Sequence, residues 1–360
     1  MNSPQTLVFS GVQPTGELHL GNYLGVIRRF AELQKSYKCM YCIADLHAIT
    51  NGMFLDDLHD KIRLVAATFL AIGIDPKKQI IFKQSSVPQH SELAWIFNCI
   101  VSMGWMNRMT QFKDKAGINS EKISLGLYAY PTLMAADILL YGTTLVPVGD
   151  DQKQHIELTR NIAQKFNSEF ADRIEKLGHD AKIELDGQLV PFAFPIVEGL
   201  IDNSAPRIMS LRNASKKMSK SDVSDLSRIN LLDNADSVAK KIQKAKTDSD
   251  VLPFQIEELT TRPEANNLVG ILASLERKEK KDILKVFGGQ PFSKFKPTLI
   301  DAIVSEITPI STEIRRYLRD PSYVDHILHE GAIHARSRAQ KTMDCVHKII
   351  GLSPAKNRSQ

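Results

Sequence analysis

The chain reads as an α/β protein, with a doubly wound parallel sheet followed by an all-α C-terminal domain. Three observations predict this. Short β-rich runs alternate with segments of helical apolar spacing over residues 6–84. Beyond Asp233 only the helical pattern remains. The 360 residues are 43% hydrophobic and 24% charged, enough for a buried core in two domains.

The first strand is expected at residues 6–10, followed by a turn holding Gly11, Pro14 and Gly16. Over 19–34, Leu20, Leu24, Ile27, Phe30 and Leu33 recur at helical spacing. A buried strand is expected at 39–45. Residues 56–72 form an amphipathic helix through Ile62, Val65, Phe69 and Leu70, and 79–84 (QIIFKQ) form the third strand. Strand, helix, strand, helix, strand is the order of a parallel sheet with crossover helices. Residues 92–109 read as one long helix, apolar on more than one face, which fits burial or a subunit contact. The stretch 111–126 is polar. A buried helix is expected at 130–140, entered through Pro131, and a strand at 144–148 ending in Gly149. Residues 151–166 read as helix, 189–198 as strand and loop, and 207–222 as a lysine- and serine-rich loop. The helical tail is expected at 234–247, 266–274, 276–286, 293–317 and 322–350, punctuated by Pro253, Pro263 and Pro291.

No stretch reaches the ~18 apolar residues of a membrane span, and no secretory or presequence pattern opens the chain. A cytoplasmic protein with no membrane partner is expected. Cys39 and Cys42 form a C-x-x-C, but in a strand positions i and i+3 face opposite ways. With no second pair, they read as core residues and not as a zinc or redox site. His326, His329 and His334 lack the H-E-x-x-H pattern and read as a solvated helix face, so no protein-held metal is expected. Residues 1–205 carry 19 Lys and Arg against 22 Asp and Glu, whereas 206–360 carry 27 against 19. The second part is therefore +8, which suits contact with a polyanion.

Two loops carry the chemistry. Gly11 to Gly16 follows a strand and precedes a helix, a place where phosphate binds. Glu17 and Leu18 stand where a P-loop needs Lys and Ser or Thr, and the G-x-G-x-x-G spacing is absent. His19-Leu20-Gly21-Asn22 remains at the helix start, with Gly21 permitting close approach and His19 and Asn22 able to donate to phosphate oxygens. The second loop is Lys217-Met218-Ser219-Lys220-Ser221, two lysines interleaved with hydroxyls.

Together these resemble the two signature elements of class I aminoacyl-tRNA synthetases. Residues 217–221 match the second element at every position. Asn22 stands in place of a histidine in the first, and His19 where relatives often carry threonine. Residues 11–16, 130–141 and 146–155 look like the bacterial and organellar tryptophanyl-tRNA synthetases, and the resemblance covers nearly the whole chain.

It implies a Rossmann-like domain over 1–205 that binds ATP and tryptophan. A mobile loop and linker follow over 206–232, then a helical anticodon-binding domain over 233–350 and a tail over 351–360. It implies ATP with Mg²⁺ on the phosphates, L-tryptophan and tRNA(Trp) as partners, and a homodimer. The ionised substrate carboxylate needs no general base, so positioning and charge neutralisation carry the chemistry. The implied catalytic residues are His19, Asn22, Lys115, Lys217 and Lys220. ATP contacts fall to Gln13, Pro14, Thr15, Gly21, Asn22, Gly149, Asp150, Asp151, Ile208 and residues 217–221 (Lys217, Met218, Ser219, Lys220, Ser221). The indole N–H falls to Asp137, a carboxylate that is costly to bury without a partner. Phe9, His47, Met134, Val146 and Val148 form the apolar slot, while Tyr130 and Gln152 hold the α-amino group. Lys240, Lys241, Lys244, Arg315 and Arg316 are candidates for tRNA. A tyrosine-specific synthetase and a tRNA-independent adenylating ligase are the competing readings. The MAAD run at 134–137 and the basic helical tail argue against them.

Overall fold

The computed structural model describes residues 6–50, 56–109, 124–149, 152–185, 187–201, 207–220 and 222–353. Its centre is a parallel sheet of five strands, β1 (Leu7–Val12), β2 (Lys38–Ile43), β3 (Ile80–Lys83), β4 (Leu145–Val148) and β7 (Glu198–Ile201). A separate antiparallel hairpin holds β5 (Lys182–Leu185) and β6 (Gln188–Pro191). The sheet order is β3-β2-β1-β4-β7, with every neighbouring pair parallel.

Strand alternation divides the core in two. Val8, Cys39, Tyr41 and Ile43 face one cluster; Leu7, Phe9, Met40 and Cys42 face the other. Cys39 and Cys42 thus point to opposite sides, and all four cysteines are free. The first cluster joins the sheet to helices Leu58–Ala71, Pro263–Glu276 and Phe292–Leu318 without a break. The second holds helices Gln89–Ile100, Leu125–Leu139 and Lys153–Glu169. The last helix, Pro321–Ile350, gives Val324 and Leu328 to the first cluster and Ala332 to Ile349 to the second. It rests on β3 at Gly331, where a Cβ would lie 1.9 Å from the Ile81 carbonyl oxygen. Among the described residues no helix is long and apolar enough to cross a membrane.

Several expectations need correction. The segment 19–34 is not one regular helix. It runs Leu20–Asn22, a π-helical turn Tyr23–Ile27, then Arg28–Leu33. The segment 92–109 breaks where Val101 and Ser102 turn extended, before a short helix Met103–Met106. Nor is it buried all round, since Trp95 is 69% and Met103 65% exposed. The helix expected to open at Pro131 begins six residues earlier. Ser124 caps it by accepting from the Leu127 N–H, and Pro131 lies inside. β6 falls at the start of the 189–198 strand and loop, whereas β5 and β7 carry too few apolar residues in a row to stand out as strands.

Candidate active site

The strand order reverses beside β1, whose neighbours are β2 and β4. In an open α/β sheet a ligand crevice lies at the carboxyl ends of such strands. A cavity of about 970 Å³ is lined there by residues following β1 and β4, joined by the Leu125–Leu139 helix and the 207–220 segment.

The loop after β1 is strapped to a distant segment. The Leu20 N–H donates to the Ile229 carbonyl at 2.8 Å, and Leu231 N–H to the Leu18 carbonyl at 2.9 Å. Lys241, expected to face tRNA, instead anchors that strap. It is buried and pairs with Asp225 at 2.8 Å and Asp233 at 2.7 Å. A buried lysine needs such carboxylates. Arg315 donates to the Leu232 carbonyl at 2.7 Å, and Arg316 pairs with Glu313. Lys240 and Lys244 are exposed.

His19 and Asn22 bond each other. The His19 N–H donates to Asn22 Oδ1, and the Asn22 N–H donates to His19 Nδ1, each at 3.2 Å. A neutral ring is required, because Nδ1 accepts. Burial, with the charges of Lys220, Arg228 and Lys217, lowers the imidazole pKa to about 3. His19 is buried off the cavity wall, whereas Asn22 lines it. Gly21 lies between the two signature loops. A Cβ there would stand 3.1 Å from His19 Nδ1 and 3.4 Å from Met218 Cβ.

The lysine loop is the return arm of a hairpin. The Met218 N–H donates to the Ile208 carbonyl at 3.0 Å, and Ser210 N–H to the Lys216 carbonyl at 2.8 Å. Asn267, on the Pro263–Glu276 helix, holds the opposite arm. Its amide accepts from the Met209 N–H and donates to the Met209 carbonyl, both at 2.9 Å. The Met218 side chain is buried in the core and its N–H is already given to Ile208, so this residue shapes the loop. Lys217, Lys220 and Ile208 line the cavity. Burial lowers the Lys220 pKa to about 8, and its ammonium donates to the Gly16 carbonyl at 3.4 Å.

Gln13, Thr15 and Gly149 also line the cavity. Pro14 is buried beside it, and Ser219 is not on its wall. Lys115, Asp150, Asp151 and Ser221 lie outside the described residues. Two further cations on the wall, Arg29 and Arg207, escaped sequence reasoning.

All eight residues expected at the amino acid reach the same wall. They are Phe9, His47, Tyr130, Met134, Asp137, Val146, Val148 and Gln152. Tyr130 Oη lies 2.6 Å from His155 Nε2, and burial pushes its pKa up to about 12. The carboxylate of Asp137 is the sole acidic group among the described lining residues. It is not left for a substrate alone to satisfy. Gln84 donates to Oδ1 at 2.7 Å, His90 Nδ1 approaches Oδ1 at 2.6 Å, and His47 Nε2 approaches Oδ2 at 2.8 Å. Burial alone would raise this carboxyl, but His90 and His47 hold it down at about 2. Gln84 and His90 carry no sequence signal beyond their polarity in apolar surroundings.

One cavity therefore joins a single buried carboxylate to Lys217, Lys220, Arg29 and Arg207 at the switch point of a parallel sheet. The family of tRNA synthetases class I (W and Y) matches residues 1–303. A tryptophan–tRNA ligase of Agrobacterium fabrum is 58% identical over 351 residues, covering 98% of this chain and 99% of its own. The chain belongs to the class I tRNA synthetases of the W and Y group. Solved members of this synthetase family share the architecture. A tryptophanyl-tRNA synthetase from Mycoplasma pneumoniae superposes with a TM-score of 0.80 at 32% identity, covering 97% of this chain and 98% of that one. One from Campylobacter jejuni, complexed with ADP and tryptophan, gives 0.75 at 32% identity over 96% of this chain and 100% of its own.

Proposed function

We propose that the chain is a tryptophan–tRNA ligase. It joins the tryptophan carboxylate to the α-phosphorus of ATP, expels pyrophosphate, and transfers the tryptophanyl group to the 3′ end of tRNA(Trp). The observation that carries this reading is the cavity that pairs one buried acceptor, Asp137, with a cluster of cations. An indole N–H suits the acceptor, and a triphosphate suits the cations.

The residues divide the work. Asp137 accepts the indole N–H, while Phe9, Met134, Val146 and Val148 enclose the ring. Tyr130 and Gln152 hold the α-amino group. Gln13, Thr15, Gly21, Asn22, Gly149 and Ile208 hold ATP, with Lys217 and Lys220 on the phosphates. As the bridging P–O bond breaks, negative charge moves onto the pyrophosphate, where the two ammonium groups stabilise it. His19, neutral and bonded to Asn22, shapes the first loop.

Mg²⁺ enters with ATP, held by phosphates and water. Among the described residues no group of three or more His, Cys, Asp or Glu side chains is arranged to hold a metal ion. The helical part after residue 233 holds tRNA, supported by the +8 charge of 206–360 and the exposed Lys240 and Lys244. Two copies pair in part through the segment 92–109, where Trp95 and Met103 are exposed. The enzyme works in the cytoplasm.

The test is ATP–pyrophosphate exchange with each of the twenty amino acids, without tRNA. Exchange driven by tryptophan alone supports the assignment. Exchange driven by tyrosine keeps the chemistry and overturns the pocket, and silence with all twenty overturns the adenylation reading.

A further inference from the structure

Asp137 is held from behind by His90 and Gln84, with Tyr141 bonded to His90, and none of the three lines the cavity. His90, Gln84 and Tyr141 are each fully buried. Their orientations are fixed from outside the carboxylate. The Leu46 N–H donates to Gln84 Oε1 at 3.1 Å, which turns the Gln84 NH₂ toward Asp137. Tyr141 Oη lies 2.7 Å from His90 Nε2. When that hydroxyl donates, Nε2 must accept, and a neutral His90 carries its proton on Nδ1, facing Asp137. The ring of Phe82 stacks on His90 at 6.0 Å, and Phe9 stacks on Tyr141 at 5.8 Å, so neither aromatic group can turn freely.

The consequence lies in the lone pairs. Oδ1 receives two donors, from Gln84 and His90, and is saturated. Oδ2 receives one, from His47. One acceptor position remains, on the oxygen bonded to His47, which with Asp137 is a residue of the cavity wall.

We propose that His90, seated by Tyr141 and assisted by Gln84, is a positioning residue for tryptophan selectivity. By occupying Oδ1 it aims the remaining lone pair of Asp137 Oδ2 at the substrate N–H. This inference rests on the reading of Asp137 as indole acceptor and adds the groups that make the acceptor directional. A carboxylate free to rotate would offer its oxygens to several geometries and reject an N–H-free analogue less well.

The experiment compares L-tryptophan with its isostere 3-(benzothiophen-3-yl)alanine, in which sulfur replaces the indole N–H, by ATP–pyrophosphate exchange. In His90→Ala the KM for tryptophan should rise about tenfold or more, with kcat within about threefold. The KM for ATP should not move. The ratio of kcat/KM between tryptophan and isostere should fall about tenfold. His90→Gln, which can donate to Oδ1 and accept from Tyr141, should restore most of the ratio. Tyr141→Phe removes only one hydroxyl and gives a second route should His90→Ala fail to fold. A smaller fall in the ratio is expected there. Parallel losses with both amino acids, leaving the ratio unchanged, would overturn the positioning role. A wild-type enzyme that activates the isostere as well as tryptophan would instead overturn Asp137 as indole acceptor, and this proposal with it.

Discussion

Asp137 and Lys220 face one cavity but are held in opposite ways. Around Asp137 three donors are in place within 2.8 Å, and each is backed by another group or packed ring. Around Lys220 there is one long bond to a carbonyl, and Lys217 forms no hydrogen bond or ion pair among the described residues. The selective end is preorganised, and the phosphate end keeps its donors unspent. This contrast fits the two tasks. Discrimination between amino acids needs a rigid acceptor before binding. Charge that builds only as pyrophosphate leaves is best met by cations not already neutralised.

The sharpest break of this contrast is Asp137→Asn. An amide would present an NH₂ to His47 or to the Gln84–His90 pair, and one buried donor would lose its acceptor. We expect kcat/KM for tryptophan to fall by about 10³ or more, with the KM for ATP within about threefold. Steady-state exchange kinetics measure both, and an equal loss for the two substrates would remove the selectivity role of Asp137. Next in size is Lys220→Ala. Loss of one charge-stabilising donor should slow adenylate formation by about 10²-fold. The tryptophan Kd should stay within about twofold. Rapid-quench single turnover reads the first quantity and equilibrium fluorescence the second, and unchanged single-turnover kinetics would refute the assignment.

The two ends should also titrate apart. Lys220 is a cation below its pKa of about 8 and loses charge as pH rises through that value. The free enzyme's kcat/KM for ATP should therefore decline above pH 8, by up to about tenfold per unit. Asp137 is ionised above about 2, so the selectivity for tryptophan over an N–H-free isostere, which shares its ammonium group, should stay flat over the same alkaline range. Lys220→Arg should move the alkaline limb upward, because guanidinium stays charged. A limb that stays in place would assign the pH dependence to another group.

What the sequence disclosed follows the same division. β1 and β2 were legible as short apolar runs because both faces are buried, Leu7 and Phe9, or Met40 and Cys42, on one core and Val8 and Tyr41 on the other. The wall residues were legible wherever they sat in contiguous strings, as at 11–22, 130–137 and 146–152. Contacts made only in three dimensions were not. Gln84 and His90 lie 53 and 47 residues from Asp137, and nothing local marks them as its partners. Lys241 is one of two lysines on the short helix Ala235–Gln243, and only the fold shows that two carboxylates pair with it in its buried place. The β7 strand (EGLI) is short and has one partner, so it lacks the apolar run that marked the inner strands. Extended backbone at Val101 and Ser102 divides an otherwise helical apolar pattern, and neither position is Pro or Gly, the nearest glycine (Gly104) lying inside the short helix that follows.

The smallest effect expected here probes how the phosphate end is assembled. Gly21→Ala adds a methyl group 3.1 Å from His19 Nδ1 and 3.4 Å from Met218 Cβ. The His19 ring is held by its bond to the Asn22 N–H, and Met218 is packed in the core, so neither gives way without cost. In an exposed helix the same substitution would stabilise by roughly 0.5–1 kcal/mol. Here we expect a loss of about 1 kcal/mol, read as a lower Tm in thermal melting. Adenylate formation should slow several-fold as the two loops move apart, with tryptophan affinity unchanged. Combined with Lys220→Ala, the effect on rate should be less than additive, since the loop shift caused by Gly21→Ala slows the reaction by displacing the Lys220 ammonium that the second change removes. Full additivity would mean that Gly21 serves the ligand directly and that the two loops work independently.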